Sequence, residues 1–187
     1  MIFFMKKTKQ YDDQIVEEMI SETQRGWNMI TTLRDISRID SNTNIQEFSL
    51  QALIENILKM FLQDMEAKNI KFHLEVIEDF YINVDENHFF ICISNILKNA
   101  IKYNLVWWEI NIVIKKWKLE ISDTWIWMTK QEQKRIFDRF YRAKDHRDGS
   151  GLGIWLFLVR KIAKIYKWKI EIKSEKSKGT MFLIKFF

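Results

Sequence analysis

Proline is absent from the 187 residues, and glycine occurs only five times. An ordinary chain carries about 7% glycine and 5% proline, so the residues that usually close turns and stop helices are almost missing. The single cysteine, Cys92, excludes a disulfide within the chain and suits a reducing, cytoplasmic setting. It falls inside an apolar helical pattern and reads as a small buried hydrophobe rather than a nucleophile. No run of about 18 apolar residues is available to span a bilayer. The opening Met1 to Lys7 is too short for a signal peptide or anchor.

Hydrophobic residues make up 47% of the chain and charged residues 29%, a globular composition. The length suits one domain of about 150 residues plus an appendage. The net charge is +5, but basic and acidic residues alternate along the chain. No basic stripe with interleaved aromatics appears, so nucleic acid is not an expected partner. A polyanionic small ligand such as a nucleotide suits the modest excess. Tryptophan is abundant at eight residues, and glycine and tryptophan together come to about 7% of the chain, the ordinary glycine share.

From Tyr11 to about Ile39, apolar residues recur at helical spacing (Ile15, Met19, Met29, Leu33, Ile36), with charge on the other face. Such a helix needs a partner to bury its stripe. Ser41-Asn42-Thr43-Asn44 is a polar break, and the domain boundary is placed there: 1–44, then 45–187. Ser49 is positioned to cap a helix through Leu53, Ile57, Met60 and Phe61. Strands are predicted over Lys71 to Val76 and Tyr81 to Val84, and Asp85 caps the next helix, where Asn95 and Asn99 share a face. Strands Glu109 to Ile114 and Lys118 to Ser122 meet at Lys115-Lys116-Trp117, where a hairpin turn ordinarily takes glycine. Thr129 with Glu132 forms a capping box. The charged stretch from Tyr141 to Ser150 reads as a mobile loop. Leu152 to Tyr166 is helical, and strands Lys169 to Ser174 and Thr180 to Phe186 close the chain. Helices mixed irregularly with hairpins predict an α+β two-layer sandwich with a mixed sheet.

Four segments occur in a fixed order. Asn95-Ile-Leu-Lys-Asn99-Ala-Ile-Lys102-Tyr103 resembles the N box of sensor histidine kinases. Asp123-Thr-Trp125-Ile-Trp127-Met128 resembles their first glycine box, Ile136-Phe-Asp-Arg-Phe140 their F box, and Gly149-Ser150-Gly151-Leu152-Gly153 their second glycine box. Each segment alone is a weak signal, whereas the four in sequence are specific. The resemblance covers residues 47–187 closely and the preceding helix more loosely. It implies a Bergerat-type ATP-binding fold with helices on one face of the sheet, ATP and Mg²⁺ as cofactors, a homodimer through the N-terminal helix, and a response regulator receiver domain as partner. By the same resemblance, the chain is the cytoplasmic part of its system.

Chemistry supports these assignments residue by residue. The Asn99 amide oxygen suits Mg²⁺ bridging ATP phosphates, and Lys102, one turn on, reaches the same phosphates as a point charge. Asp123 ends a strand, where a carboxylate accepts the adenine amino group's proton. Tyr103 can pack against the nucleotide or equally serve the core. Gly149, Gly151 and Gly153 let backbone N–H groups and a helix dipole cradle phosphate, with Ser150 and Leu152 between them. The loop carrying Arg142 and Lys144 closes as a lid after Phe140, and Thr180 after Gly179 matches the last nucleotide-contacting segment. At Asn95, the gyrase-like and chaperone ATPases place a Glu that activates water. An asparagine there favours phosphoryl transfer to a protein acceptor over hydrolysis.

Two departures stand out. The family's acceptor histidine is missing, since His73 lies in a strand pattern, His88 at a helix start and His146 in the lid. Met19 to Asp40 resembles the second dimerisation helix alone. Trp125 and Trp127 fill both glycine positions of the first glycine box, and Trp107, Trp108, Trp117, Trp155 and Trp168 also stand where the family often has glycine. Two indoles there occupy adenine's space. One account is that these residues are glycines in the organism, encoded by UGA and translated under the wrong code. A nucleotide-dead remnant acting as a dimerisation module is the alternative function. An anti-sigma-type serine kinase shares the fold but not a dimerisation helix ending Ser37-Arg38-Ile39-Asp40.

Overall fold

The computed structural model describes residues 15–17, 19–23, 26–27, 29–31, 34, 36–37, 39, 43–103, 109–124, 128–142, 153–175 and 178–187. Among these residues, eleven elements follow the N-terminal helical stretch: β1 (Ile45–Ser49), α1 (Leu50–Ala67), β2 (Lys71–Val76), β3 (Tyr81–Asp85), α2 (Glu86–Tyr103), β4 (Glu109–Lys115), β5 (Lys118–Asp123), α3 (Lys130–Arg135), α4 (Trp155–Ile165), β6 (Lys169–Glu175) and β7 (Gly179–Lys185). Five strands form one sheet in the order β2-β4-β5-β7-β6, and β1 pairs separately with β3. Only β2 and β4 run parallel in the larger sheet, which makes it mixed as expected.

The core follows from period-two strands facing period-3.6 helices. Ile110, Ile112 and Ile114 of β4 point inward beside Asp123, Ile121 and Leu119 of β5. Helix α1 buries Leu50, Leu53, Ile54, Ile57, Leu58, Phe61 and Met65, and α2 packs between α1 and α4. The predicted caps form. Ser49 Oγ accepts from Ala52 N–H at 3.1 Å, Asp85 Oδ1 accepts from Asn87 N–H at 2.9 Å, and Thr129 with Glu132 closes a capping box. Strand β1 was not expected from the sequence. Its residues 45–49 show little alternation, and pairing with β3 alone makes them a strand.

Scarce glycine leaves its mark on the turns. Asn69, Trp117, Phe140 and Lys167 all take left-handed backbone, with φ of 53°, 61°, 65° and 57°. Both α1 and α4 end in the same way. Ile70 N–H reaches back to Met65 C=O at 2.9 Å, and Trp168 N–H to Ala163 C=O at 2.8 Å, with Asn69 and Lys167 as the left-handed residues. The α4 turn therefore calls for glycine at 167, not at Trp168. Trp168 is instead 8% exposed, stacked on Tyr166 and edge-on to Phe89 and Phe186. Helix α4 starts at Trp155 rather than Leu152, because Gly153 has a φ of 63° and cannot continue a right-handed helix.

The described residues between 15 and 39 are helical and expose Ile15, Val16, Met19, Ile20, Trp27, Met29 and Ile30. Ile36 and Ile39, near the end of that stretch, pack on the domain core. Asp85 secures the junction, since its Oδ2 accepts from Asn44 N–H at 2.7 Å while its Oδ1 caps α2. Burial by itself would raise the Asp85 pKa. The N–H groups of Asn44, His88 and Asn87, together with the charge of His88, outweigh it and hold the carboxyl below its ordinary value. A depressed folded-state pKa gives stability that is complete above about pH 4 and is lost as pH falls through the folded value. Asp85→Asn keeps an acceptor but removes the titration. Urea midpoints measured across acid pH are expected to fall less steeply for Asp85→Asn than for the parent, and parallel acid limbs would count against this assignment.

Candidate functional site

Asn95 is 1% exposed, and its Nδ2 donates to Ile91 C=O at 2.8 Å. Its Oδ1 is buried and, among the described residues, meets no donor. An unsatisfied buried acceptor costs about 1–3 kcal/mol. Asn99 lies half-buried one turn further, and Lys102 is exposed in the last turn of α2. Lys68 Nζ donates to the C=O of Ile101 at 2.7 Å and of Lys102 at 3.4 Å. That ammonium satisfies carbonyls the helix end leaves open and suits the negative end of its dipole, fixing the turn that carries Lys102.

A second group forms where β5 and β6 end and β7 begins. Asp123 pairs in register with Thr180, and Thr180 with Ser174, giving a polar row across three strands. Asp123 is 4% exposed and Thr180 1%. Thr180 Oγ1 lies 3.0 Å from Ser174 Oγ, which also accepts from Met128 N–H at 2.8 Å. Gly179 makes the row possible. Its φ is 85°, and a Cβ there would fall on the Asp123 carbonyl oxygen and lie 2.7 Å from Thr124 Cα. Only glycine lets β7 begin so close to the end of β5.

The third group sets the ends of the predicted lid. Phe140 N–H donates to Gly153 C=O at 2.9 Å, and a Cβ on Gly153 would stand 2.6 Å from Tyr141 C=O. This contact joins both ends of residues 141–152. Phe140 is exposed, Arg142 is half-buried, and the Arg135 guanidinium lies 4.4 Å over the Tyr141 ring. Lys98 Nζ, beside Asn99, is 5.7 Å from the Trp155 ring centroid, which brings the first turn of α4 against α2.

The structure thus joins Asp123 with Thr180, Asn95 and Asn99 with Lys102, and Phe140 with Gly153. Trp125, Trp127, Lys144, Gly149, Ser150, Gly151 and Leu152 lie outside the described residues, as does the side chain of Tyr103, whose backbone ends α2. His146, Trp107 and Trp108 lie outside them too. Among the other histidines, His73 is exposed on β2, and His88 is buried with its Nδ1 2.8 Å from Tyr166 Oη. The residues fit a magnesium ion shared with a polyphosphate. The neutral amide of half-buried Asn99 is the kind of hard donor such an ion takes alongside its waters.

Three residues of this region escaped the sequence reading: Lys68, Ser174 and Gln133. Gln133 Nε2 donates to the C=O groups of Met128 at 2.8 Å and Ser174 at 2.9 Å. Ser174 did leave a signal, because the alternation Ile170, Ile172, Ser174 puts a hydroxyl where an apolar residue would continue the inward face. Lys68 left none, since its acceptors are more than 30 residues away.

A family model described as histidine kinase-, DNA gyrase B-, and HSP90-like ATPase matches residues 84–187. The sensor histidine kinase YclK of Bacillus subtilis is 28% identical over 182 residues, a match covering 92% of this chain and 38% of YclK. Among solved structures, the Acinetobacter baumannii histidine kinase AdeS is similar with a TM-score of 0.69 at 19% identity, covering 91% of this chain and 82% of that one. The histidine kinase ThkA, solved in complex with the response regulator protein TrrA, gives a TM-score of 0.70 at 20% identity over 96% of this chain and 51% of its own. The chain therefore spans well under half the length of YclK. At such identities, the structural likenesses speak for the fold.

Proposed function

Because the chain belongs to the histidine kinase-, DNA gyrase B- and HSP90-like ATPase family, as an ATP-binding catalytic domain of the sensor histidine kinase type, we propose that it binds Mg·ATP and gives the γ-phosphoryl to a histidine outside this sequence. The observation that carries the proposal is the amide of Asn95, buried on α2 one turn before Asn99. An amide cannot take a proton from water as a carboxylate does, so this position serves binding rather than hydrolysis. Asn99 would hold the ion, which supplies charge neutralisation along the phosphates. Lys102, at the helix end fixed by Lys68, adds positive charge beside them. Asp123 and Thr180 take the base, and the segment tied at Phe140 and Gly153 closes over the phosphates.

The apolar residues exposed on the N-terminal helix, Ile15, Met19, Trp27 and Ile30 among them, support dimerisation with a second copy of the chain. The ThkA–TrrA complex supports a response regulator receiver domain as the downstream partner. A nucleotide-dead dimerisation module is the second reading, favoured by the indoles at Trp125 and Trp127.

Calorimetry with ATP, with and without Mg²⁺, separates the two. The Trp125→Gly, Trp127→Gly protein is expected to bind ATP in an Mg²⁺-dependent way and the chain as written to bind it far more weakly. A double variant without Mg²⁺-dependent affinity would sink the catalytic reading. With ATP bound, an acceptor helix supplied in trans is expected to gain phosphohistidine, and silence there would favour the interaction module.

A further inference from the structure

Helix α1 ends in a turn with a fixed backbone. Lys68 N–H donates to Met65 C=O at 3.2 Å and Ile70 N–H to the same carbonyl at 2.9 Å, with Asn69 left-handed between them. Met65 and Ile70 are buried, so the Lys68 side chain starts from an anchored base. It crosses to the end of α2, where Nζ donates to Ile101 C=O at 2.7 Å and to Lys102 C=O at 3.4 Å. An ammonium only donates and a carbonyl only accepts, so the direction of both bonds is set. The last carbonyls of a helix have no partner within it and form the negative end of its dipole. Two such ends meet at Lys68, and the last turn of α1 carries no basic residue of its own.

We propose that Lys68 is a positioning residue for nucleotide binding, which ties the last turn of α2 to the end of α1 and so holds Lys102 where it meets the phosphates. The inference rests on the Mg·ATP reading and adds what keeps that part of the site in place. Lys102 is the second-last residue of α2, in the turn that frays first in any helix, and its side chain is exposed. The bond to its own carbonyl fixes its backbone from outside the helix. Without that bond Lys102 keeps its charge but loses its place, and each binding event must order the turn again.

The test measures Mg·ATP dissociation constants by calorimetry in the full chain carrying Trp125→Gly and Trp127→Gly, with urea midpoints to show that each variant is folded. In that background, Lys68→Met is expected to weaken binding about fivefold, the effect of one lost charge-assisted hydrogen bond. Lys68→Arg keeps a cationic donor and is expected to stay within about twofold of the parent. Lys102→Met is expected to weaken binding as well, and adding Lys68→Met to it is expected to change the constant no further. An unchanged constant in Lys68→Met overturns the proposal, as does a loss in Lys68→Arg equal to that in Lys68→Met. A fivefold loss that persists beside Lys102→Met also overturns it, because Lys68 would then act by its own charge or through the fold at large. If Lys102→Met binds like a parent that does bind Mg·ATP, the proposal fails while the ATP reading stands. A parent without Mg·ATP affinity overturns the ATP reading itself, and this inference falls with it.

Discussion

Gly179→Ala is expected to lower the free energy of unfolding by about 3 kcal/mol and, beside Trp125→Gly and Trp127→Gly, to abolish ATP binding, because it combines left-handed strain with a backbone overlap. The added Cβ has no side chain to push aside. It falls on the carbonyl oxygen of Asp123 and lies 2.9 Å from the Asp123 carbonyl carbon. Either β7 or the end of β5 must move, and the second movement carries the Asp123 carboxylate with it. Gly26→Ala is the control, because a Cβ there would meet nothing within 4 Å and Gly26 itself is helical. It is expected to change stability by less than about 1 kcal/mol, in the stabilising direction. Urea unfolding of the two variants decides the point, and a Gly179→Ala midpoint equal to the parent's would show that the strands have room that the geometry denies.

Trp168→Gly is expected to destabilise the chain by about 4 kcal/mol and Trp117→Gly to leave it nearly unchanged, although the sequence reading set both at turns that suit glycine. Trp168 fills the space between Phe89, Tyr166 and Phe186, and its removal leaves a cavity too large for those rings to close. The melting temperature is expected to fall on the order of 10 °C. Trp117 is half exposed in the β4–β5 hairpin at a φ of 61° and loses only its contact with Phe80. Relief of about 1–2 kcal/mol of left-handed strain offsets that loss. Calorimetric melts of both variants test the pair. If Trp168→Gly melts with the parent, the indole does not hold the core, and the glycine account of the tryptophans gains at that position. Reading the eight codons tests that account directly, because a UGG codon rules it out wherever it occurs.

The indole count posed a compositional question, and the structure gives different answers at different positions. At Trp117 the backbone has the conformation glycine favours. At Trp155 the residue starts a helix, half-buried beside Lys98, and at Trp168 the neighbouring Lys167 carries the left-handed turn. Spacing within the sequence could not separate these cases. All three lie next to helix or strand ends, and only φ and burial tell a turn residue from a core residue.

Much of the fold was legible in the sequence because it is written in short-range rules. The caps at Ser49, Asp85 and Thr129 are bonds spanning two or three residues. The inward faces of β4 and β5 follow from alternation, and the α1 stripe from helical spacing. The order of the four motif segments placed Asn95, Asn99 and Lys102 on one helix and Asp123 at a strand end. What tertiary structure decided depends on partners distant in the chain. Strand β1 exists through β3, Lys68 closes a helix more than 30 residues away, and Gly179 is required by a carbonyl at Asp123. Whether Asn95 Oδ1 would be satisfied and which groups would surround the Ser174 hydroxyl were likewise set only when the sheet register and the packing of α2 brought those groups together. Local bonding is fixed by spacing, whereas burial and cross-strand contact are fixed by how the elements pack, and the candidate site is built mainly from the second kind.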